Sequence, residues 1–574
     1  MSQKTIFFRL LFSMVLLVTA HAGAQAVKGT VAEGASPPPL TYHGLTPGVT
    51  THAQVREVLG EPVDESKWYN YKMYYPAKDR PGLFDIVHIL KKRSESSLAG
   101  IEASSIPAGY ETGNSIRRAL GEPEYELRMV TWKLLDYSEQ GLRFSLTSDG
   151  KTTGVSYFPY GHRRVPEGER HLVDLSHLRE GPQPKSRQAP QVRSLSAGFS
   201  EVIFSPQGKD WLGYKYKVHD DLKARIAVFD DGQKRVALVG ADLFGMGWNE
   251  TYVMREGARK LGVDQTVIAM SHNHAAGDTI GVYGHYPAEY IAHIQKQVLH
   301  GIELAIKNMK PVKELRTNLQ ELPMDGARVQ GLFRNARNPA VLDPTISTVQ
   351  VVGDDGNVMG TLVHFACHVE SLRLGAREIS ADFPGYMCEQ IKQDGGGQPV
   401  FLNGAMGGMV SGDNRARTHE SSREMGLQLA AIVKDMADTA QPAAVDGITL
   451  DMRPLEIPMV NPNFQPLFES GLRSLHRGRV QTDMQYIRIG EIEMISLPGE
   501  LLPELSFEIL EKMNGFPRML IGLANDALGY MIPPYDFRAG AYEESVSQGP
   551  SAGLQVRDMA LLMITENAPA PESR

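Results

Sequence analysis

An α/β domain with mixed sheets, preceded by a small α+β repeat module, is the architecture this sequence predicts. Three observations predict it. From Leu195 onward, apolar strand-like runs alternate with helical stretches. Before residue 125, a frame ending in Leu-Gly-Glu-Pro occurs twice. Between the two regions, residues 163–194 are rich in proline and charge. Near-continuous apolar strands need cover on both faces, which helices supply in α/β folds.

The 574 residues exceed what one compact core organises, so at least two domains are expected. A net charge of -8 argues against a nucleic-acid partner, because a phosphate backbone calls for a basic face. Residues 1–26 read as an export signal. Lys4 and Arg9 precede an apolar run from Leu10 to Ala20, and the small residues Ala22, Gly23, Ala24 and Ala26 follow. A periplasmic or secreted location is therefore expected. No later run is long and apolar enough to span a bilayer, so the mature chain is expected to be soluble. Cys367 and Cys388 are too few for a disulfide scaffold; they could pair with each other or remain as buried thiols.

The stretches 45–62 and 106–123 share a Gly, a Thr and a helical run, with Gly60 and Gly121 in register 61 residues apart. Val55, Val58 and Leu59 in one copy, and Ile116 and Leu120 in the other, supply an apolar helix face. Gly then Pro ends each helix. Aromatic strand-like runs follow both. Residues 27–162 thus read as two helix-plus-sheet units forming a binding or spacer module, whose deletion should leave turnover intact. Residues 163–194 read as a linker. Strands are expected near 225–231, 235–244, 265–274, 346–353 and 359–368, and helices over 249–262, 287–309 and 421–438.

Four stretches of the larger domain carry chemistry. In "SHNHAAGD" (271–278), His272 and His274 sit two apart where an apolar strand ends, so an extended backbone places them side by side. A chance pair of surface histidines is the competing reading. "VHFACHVESL" (363–372) sets His364 and His368 four apart. "FLNGAMGGMVSGDN" (401–414) is a glycine-rich loop carrying Ser411. "ISLPGELLPELS" (495–506) ends a strand at Pro498-Gly499 and presents Glu500. Zinc takes imidazole and carboxylate ligands and, in catalytic sites, keeps a position for water. Histidines from two strand ends with Glu500 supply such a set.

The order of these stretches resembles the neutral ceramidase family over roughly residues 195–560. "HNHAAG" is similar to that family's "HTHSGP" strand end, and His368 matches its "HPT" site, followed by a Gly-Tyr in "SADFPGY". "GMVSGD" matches its "GDVSPN" loop in part, Glu500 its "PGE", and "ANDALGYMIPPYDF" with Tyr542 its terminal Asn-x-Tyr-x-x-Tyr stretch. The resemblance implies a zinc-dependent amidohydrolase over 195–562, with His272, His368, Glu500 and Tyr530 as metal ligands. It implies that His274 orients or protonates the reacting amide and that Tyr542 donates to the oxyanion. It places Ser411 in the active site, as a positioning hydroxyl or a nucleophile. A substrate-contacting arginine falls on Arg334, with Arg337 as the competing alignment.

The chain departs from the family pattern at Met409, Gly412, Asp413, Val369 and Glu370, which bears on the substrate more than on the metal set. After 562 only a short tail, 563–574, is expected, with no room for the family's C-terminal immunoglobulin-like domain. The N-terminal units resemble the repeats of small envelope lipoproteins and of the β-lactamase inhibitor protein, which implies contact with a membrane surface or envelope protein. The substrate so implied is an N-acylated lipid, sphingoid included. An esterase, a non-lipid amidase on the same fold, and a non-catalytic envelope binding protein are the other readings.

Overall fold

The structure is a computed structural model. It describes residues 41–568 except 67–70, 79, 81–82, 91–95, 160–169, 177–193, 207–216, 282–286, 330, 373–377, 413–415, 445–446, 470–472 and 474. The expected export signal and the end of the tail lie outside the described residues.

The larger domain is mixed α/β, as the sequence predicts. Its main sheet runs in the spatial order Gln265–Met270, Arg235–Ala241, Lys223–Asp230, Ser196–Ile203, Lys310–Glu321, Thr345–Gly353, Val358–Phe365 and Gln398–Asn403. Gln441–Ala443 is added on Lys310–Glu321. Most pairs are antiparallel, but the first and the last are parallel. Parallel neighbours need a long crossover. The helices Trp248–Lys260 and Asp382–Gln393 provide it.

The sheet folds back until its two ends meet. Asn403 Nδ2 donates to the Ser271 carbonyl at 2.8 Å. A Cβ on Gly240 would lie 2.3 Å from the Phe401 carbonyl, so only glycine permits this approach. The closure brings together residues that follow the strands Gln265–Met270 and Val358–Phe365.

A second sheet, Ile448–Pro458, Arg479–Ile489, Ile492–Ser496 and Arg518–Ile521, lies on one face of the first. Ile487, Ile489, Met494 and Ile521 interleave there with Ala227, Leu238, Val267 and Leu402. The helices cover the other face through Met254, Ile294, Val298, Leu429 and Val433. The expected helices appear at Trp248–Lys260, Ala288–Lys307 and His419–Thr439.

The N-terminal repeats build one nine-stranded sheet. Each gives a helix and four strands, and the two meet antiparallel along Ser97–Ala103 and Thr152–Tyr157. The correspondence reaches single atoms. Thr51 and Thr112 both close capping boxes on the helices His52–Leu59 and Gly113–Leu120. Gly60 and Gly121 end those helices with φ near 80°, where glycine pays no steric penalty. The hydroxyls of Tyr75 and Tyr137 donate to the carbonyls of Gly60 and Gly121. Arg56 pairs with Glu65 and, 61 residues on, Arg117 pairs with Glu126.

Two sequence expectations change here. The stretch read as a linker contributes a strand, His171–Asp174, parallel to Tyr125–Arg128. Val173 and Leu175 are buried, and that apolar contribution outweighs the surrounding prolines and charges. The module read as a binding or spacer unit is packed onto the larger domain. Tyr125, Leu127, Trp132 and Leu134 share one core with Leu455, Tyr486, Leu505 and Val556. Polar contacts reinforce it: the backbone N–H groups of Val130 and Thr131 donate to Glu321 at 2.8 Å, and Arg143 donates to the Pro339 carbonyl at 2.5 Å.

Candidate metal centre

His272, His368 and Glu500 come from three chain segments, and one ligand atom of each lies within 4.8 Å of the others, all buried. His272 follows the strand Gln265–Met270 with φ of +62°, a conformation that costs a non-glycine residue roughly 1–2 kcal/mol. Its ring is set from behind. Nδ1 is 2.8 Å from the Phe244 carbonyl, and the Phe244 ring stacks on it at 4.8 Å. His368 is fixed the same way, with Nδ1 3.1 Å from the Val410 carbonyl. An Nδ1–H donated to a carbonyl leaves Nε2 with its lone pair free, the usual tautomer of a metal-binding imidazole. The Nε2 atoms of His272 and His368 stand 3.6 and 2.9 Å from Glu500 Oε2.

Glu500 and Tyr530 are direct partners in a two-residue parallel bridge, Glu500–Leu501 with Tyr530–Met531. The Tyr530 hydroxyl lies 3.3 Å from His368 Nε2 and 3.2 Å from the Met409 sulfur. All four residues implied as ligands are therefore gathered at one point. Two imidazole nitrogens and a carboxylate are donors that zinc accepts, and the Tyr530 phenol beside them is a less common one. The residues fit that ion.

The groups of the pocket shift one another's protonation. Burial works to raise the Glu500 carboxyl, but His272 and the hydrogen bond from His368 outweigh it and hold it at about 2. Burial disfavours charge on His368, yet its hydrogen bond with Glu500 raises it above the ordinary value. Burial lowers His272 and, helped by the two neighbouring rings, lowers His274 much further, so His274 is neutral. Burial and then Glu500 push the Tyr530 phenol up.

His274 sits with its ring 4.7 Å from that of His272 and edge-on to Phe244 at 5.0 Å. Its backbone N–H donates to Val369, beside His368. Its Nε2 is buried with no partner among the described residues. Ser411 neighbours His368 through a backbone bridge, and its hydroxyl donates to the Met409 carbonyl at 3.3 Å. That direction suits a positioning hydroxyl rather than a base-activated nucleophile. Tyr542 packs near Tyr530, with ring centroids 6.1 Å apart.

Arg334 is paired in register with Ser411, but its Nη1 donates to Glu102 of the N-terminal sheet at 3.0 Å. Arg337 is buried among Asp536, Glu543 and Glu544. Glu543 and Glu544 adjoin Tyr542, so Arg337 anchors that tyrosine's helical turn rather than facing a substrate. His364 turns away from the centre, with Nε2 3.0 Å from the Leu520 carbonyl. Cys367 and Cys388 are both free and buried. Asp413 lies outside the described residues. Sequence reasoning missed Phe244 and the Val410 carbonyl, because contacts made by a backbone carbonyl or an apolar side chain leave no residue-type signature; Met409 it named only as a departure from the family's loop.

This arrangement is a ceramidase-like fold. No family model and no curated protein matches the chain. Among solved structures, it is similar to the neutral ceramidase from Pseudomonas aeruginosa, with a TM-score of 0.54 and 18% identity over 66% of this chain and 76% of that one. It is also similar to a ceramidase complexed with C2, with a TM-score of 0.55 and 17% identity over 66% and 77% of the two chains.

Proposed function

We propose that the protein is an exported, zinc-dependent amidohydrolase acting on an N-acylated lipid, of which a ceramide-type amide is one. The convergence of His272, His368 and Glu500, each imidazole braced through Nδ1, is the observation that carries this reading. The fold shared with ceramidases supports it. Export rests on the sequence of residues 1–26; no helix among the described residues is long and apolar enough to cross a membrane.

His272, His368, Glu500 and Tyr530 would hold the zinc. Such an ion, when bound, polarises a carbonyl and acidifies a water. His274, neutral and buried with a free Nε2, takes the proton of the attacking water and returns it to the departing amine nitrogen. Tyr542 donates to the oxygen that gains charge, a contribution of about 3 kcal/mol for a well-placed donor. Ser411 and Arg334 shape the wall behind His368. Partly buried Met409, Phe537, Tyr542 and Val546 gather round Tyr530 and offer an apolar surface to an acyl chain.

The test is zinc analysis of the purified protein combined with turnover of a chromogenic N-acyl amide and its ester counterpart, with and without chelator. Chelator-sensitive amide turnover supports the proposal. A metal-free protein, or amide turnover unchanged in Glu500→Ala, overturns it. Ester-only turnover assigns the site to the esterase reading.

A further inference from the structure

His219, Asp220 and His419 form a second cluster of metal-type donors, with one donor atom of each within 4.8 Å of the others. His219 and Asp220 follow the short strand Lys217–Val218, which pairs parallel with Glu378–Ile379. His419 is the first residue of the helix His419–Thr439. Two separate segments thus supply the donors, and the strand Glu378–Ile379 lies against the first of them.

The bracing repeats the pattern of the first centre. His419 Nε2 stands 2.9 Å from Glu378 Oε2, while its Nδ1 is buried with no partner among the described residues. A ring held by a carboxylate through one nitrogen, with the other lone pair unused, is how proteins orient metal-binding imidazoles. Asp220 is held as well, accepting from Ser380 Oγ and from the Ala381 backbone N–H, both at 2.5 Å. The exposed His219 ring stacks on His419 at 3.6 Å and 19°. Its Nε2 is 3.2 Å from the Tyr386 hydroxyl.

We infer that this cluster is a second binding site, for a divalent transition-metal ion such as zinc, with two imidazoles, one carboxylate and the remaining positions taken by water. Two nitrogen donors favour zinc, cobalt or nickel over magnesium or calcium, which prefer all-oxygen sites. The ion acts as a staple. It joins the two segments, and through Ser380, which donates to Asp220 and whose carbonyl accepts from Asn273 Nδ2 at 2.7 Å, it steadies the loop between His272 and His274.

Zinc per chain and thermal unfolding of the full-length protein test this. The wild type should hold two equivalents. His272→Ala/Glu500→Ala, lacking the first centre, should keep one and gain several degrees of Tm on zinc addition. His219→Ala/His419→Ala should drop from two to one. The inference is overturned if His272→Ala/Glu500→Ala protein binds no zinc and its Tm ignores zinc, or if His219→Ala/His419→Ala still holds two. Should the histidine double variant not fold, cobalt titration of the wild type decides: two equivalents sustain the site and one removes it. A wild type with one equivalent that vanishes in His272→Ala/Glu500→Ala rejects this second site alone and leaves the amidohydrolase proposal standing.

Discussion

Glu102, on the seam strand of the N-terminal sheet, accepts from Arg334 at 3.0 Å and from His88 Nε2 at 2.6 Å. Arg334 lies beside Ser411, which neighbours His368. The repeat sheet therefore reaches to within two strands of the candidate metal centre. Removing one member of a buried pair leaves the other charge uncompensated, at a cost of about 3–5 kcal/mol. Glu102→Gln should lower stability, while Glu102→Gln/Arg334→Met should recover much of the loss. Urea unfolding of the four proteins in the double-mutant cycle measures the coupling, and additive effects would refute it.

Trp132 belongs to the repeat sheet but packs in the core that also holds Tyr486 and Leu505. Trp132→Ala should destabilise by about 3–5 kcal/mol. The loss should appear as one cooperative transition followed by both near-UV signal and metal release. Two separated transitions would mean the halves fold independently, and deletion of the module would then be tolerated.

Glu500→Ala and His368→Ala should each remove the zinc of the first centre. Loss of a supporting group costs a metal site about 10–100-fold in affinity or activity, so loss of a ligand should exceed that. In the free protein Glu500 raises His368 above its ordinary value, so zinc entry displaces a proton from that imidazole. Affinity should rise with pH until His368 is neutral without help and then level off. Competition titration across pH measures this; a pH-independent affinity contradicts the arrangement.

His274→Gln should keep zinc and lose about 10²–10⁴-fold in kcat. The basic partner here is lowered mainly by burial and then by His272 and His368. The acidic limb of the kcat/KM profile should change in the variant while metal content stays fixed. Unchanged kcat would assign His274 to packing.

Asp343 is partly buried and accepts from the N–H and hydroxyl of Thr345 at 3.0 and 2.7 Å. Burial raises its carboxyl to about 6 from the ordinary 3.8. A raised carboxyl contributes stability that is complete below the unfolded value and is lost as pH rises through the folded one. Above pH 6 the partly buried carboxylate is a liability of at most about 3 kcal/mol, less whatever solvent screening removes. Asp343→Asn keeps an acceptor for Thr345 and should gain on the wild type between pH 4 and pH 7. Denaturation curves at several pH values check the sign.

The strands ending at His272 and His368, and the Pro-Gly turn before Glu500, are legible because each has a local pattern: an apolar run, a polar residue, a turn. Tyr530 was reachable only through family resemblance, since a phenol is an uncommon ligand and nothing around it announces the role. The fold-back of the main sheet is not written locally at all. It depends on Gly240 meeting Phe401 and on Asn403 meeting Ser271, pairs more than 100 residues apart. Arg334 and Arg337 stand three apart in one stretch and look interchangeable in sequence. Only the packed structure gives one to Glu102 and the other to the acids flanking Tyr542.

The three segments that carry His272, His368 and Glu500 are separated by 96 and 132 positions along the chain. Contacts of such long sequence separation form slowly, because loop-closure entropy must be overcome before they return any stabilisation. The donors can converge only after the main sheet has folded back and the second sheet has docked. Zinc uptake by the proposed centre should therefore be a late maturation event, and a refolding time course should show secondary structure well before tightly held metal.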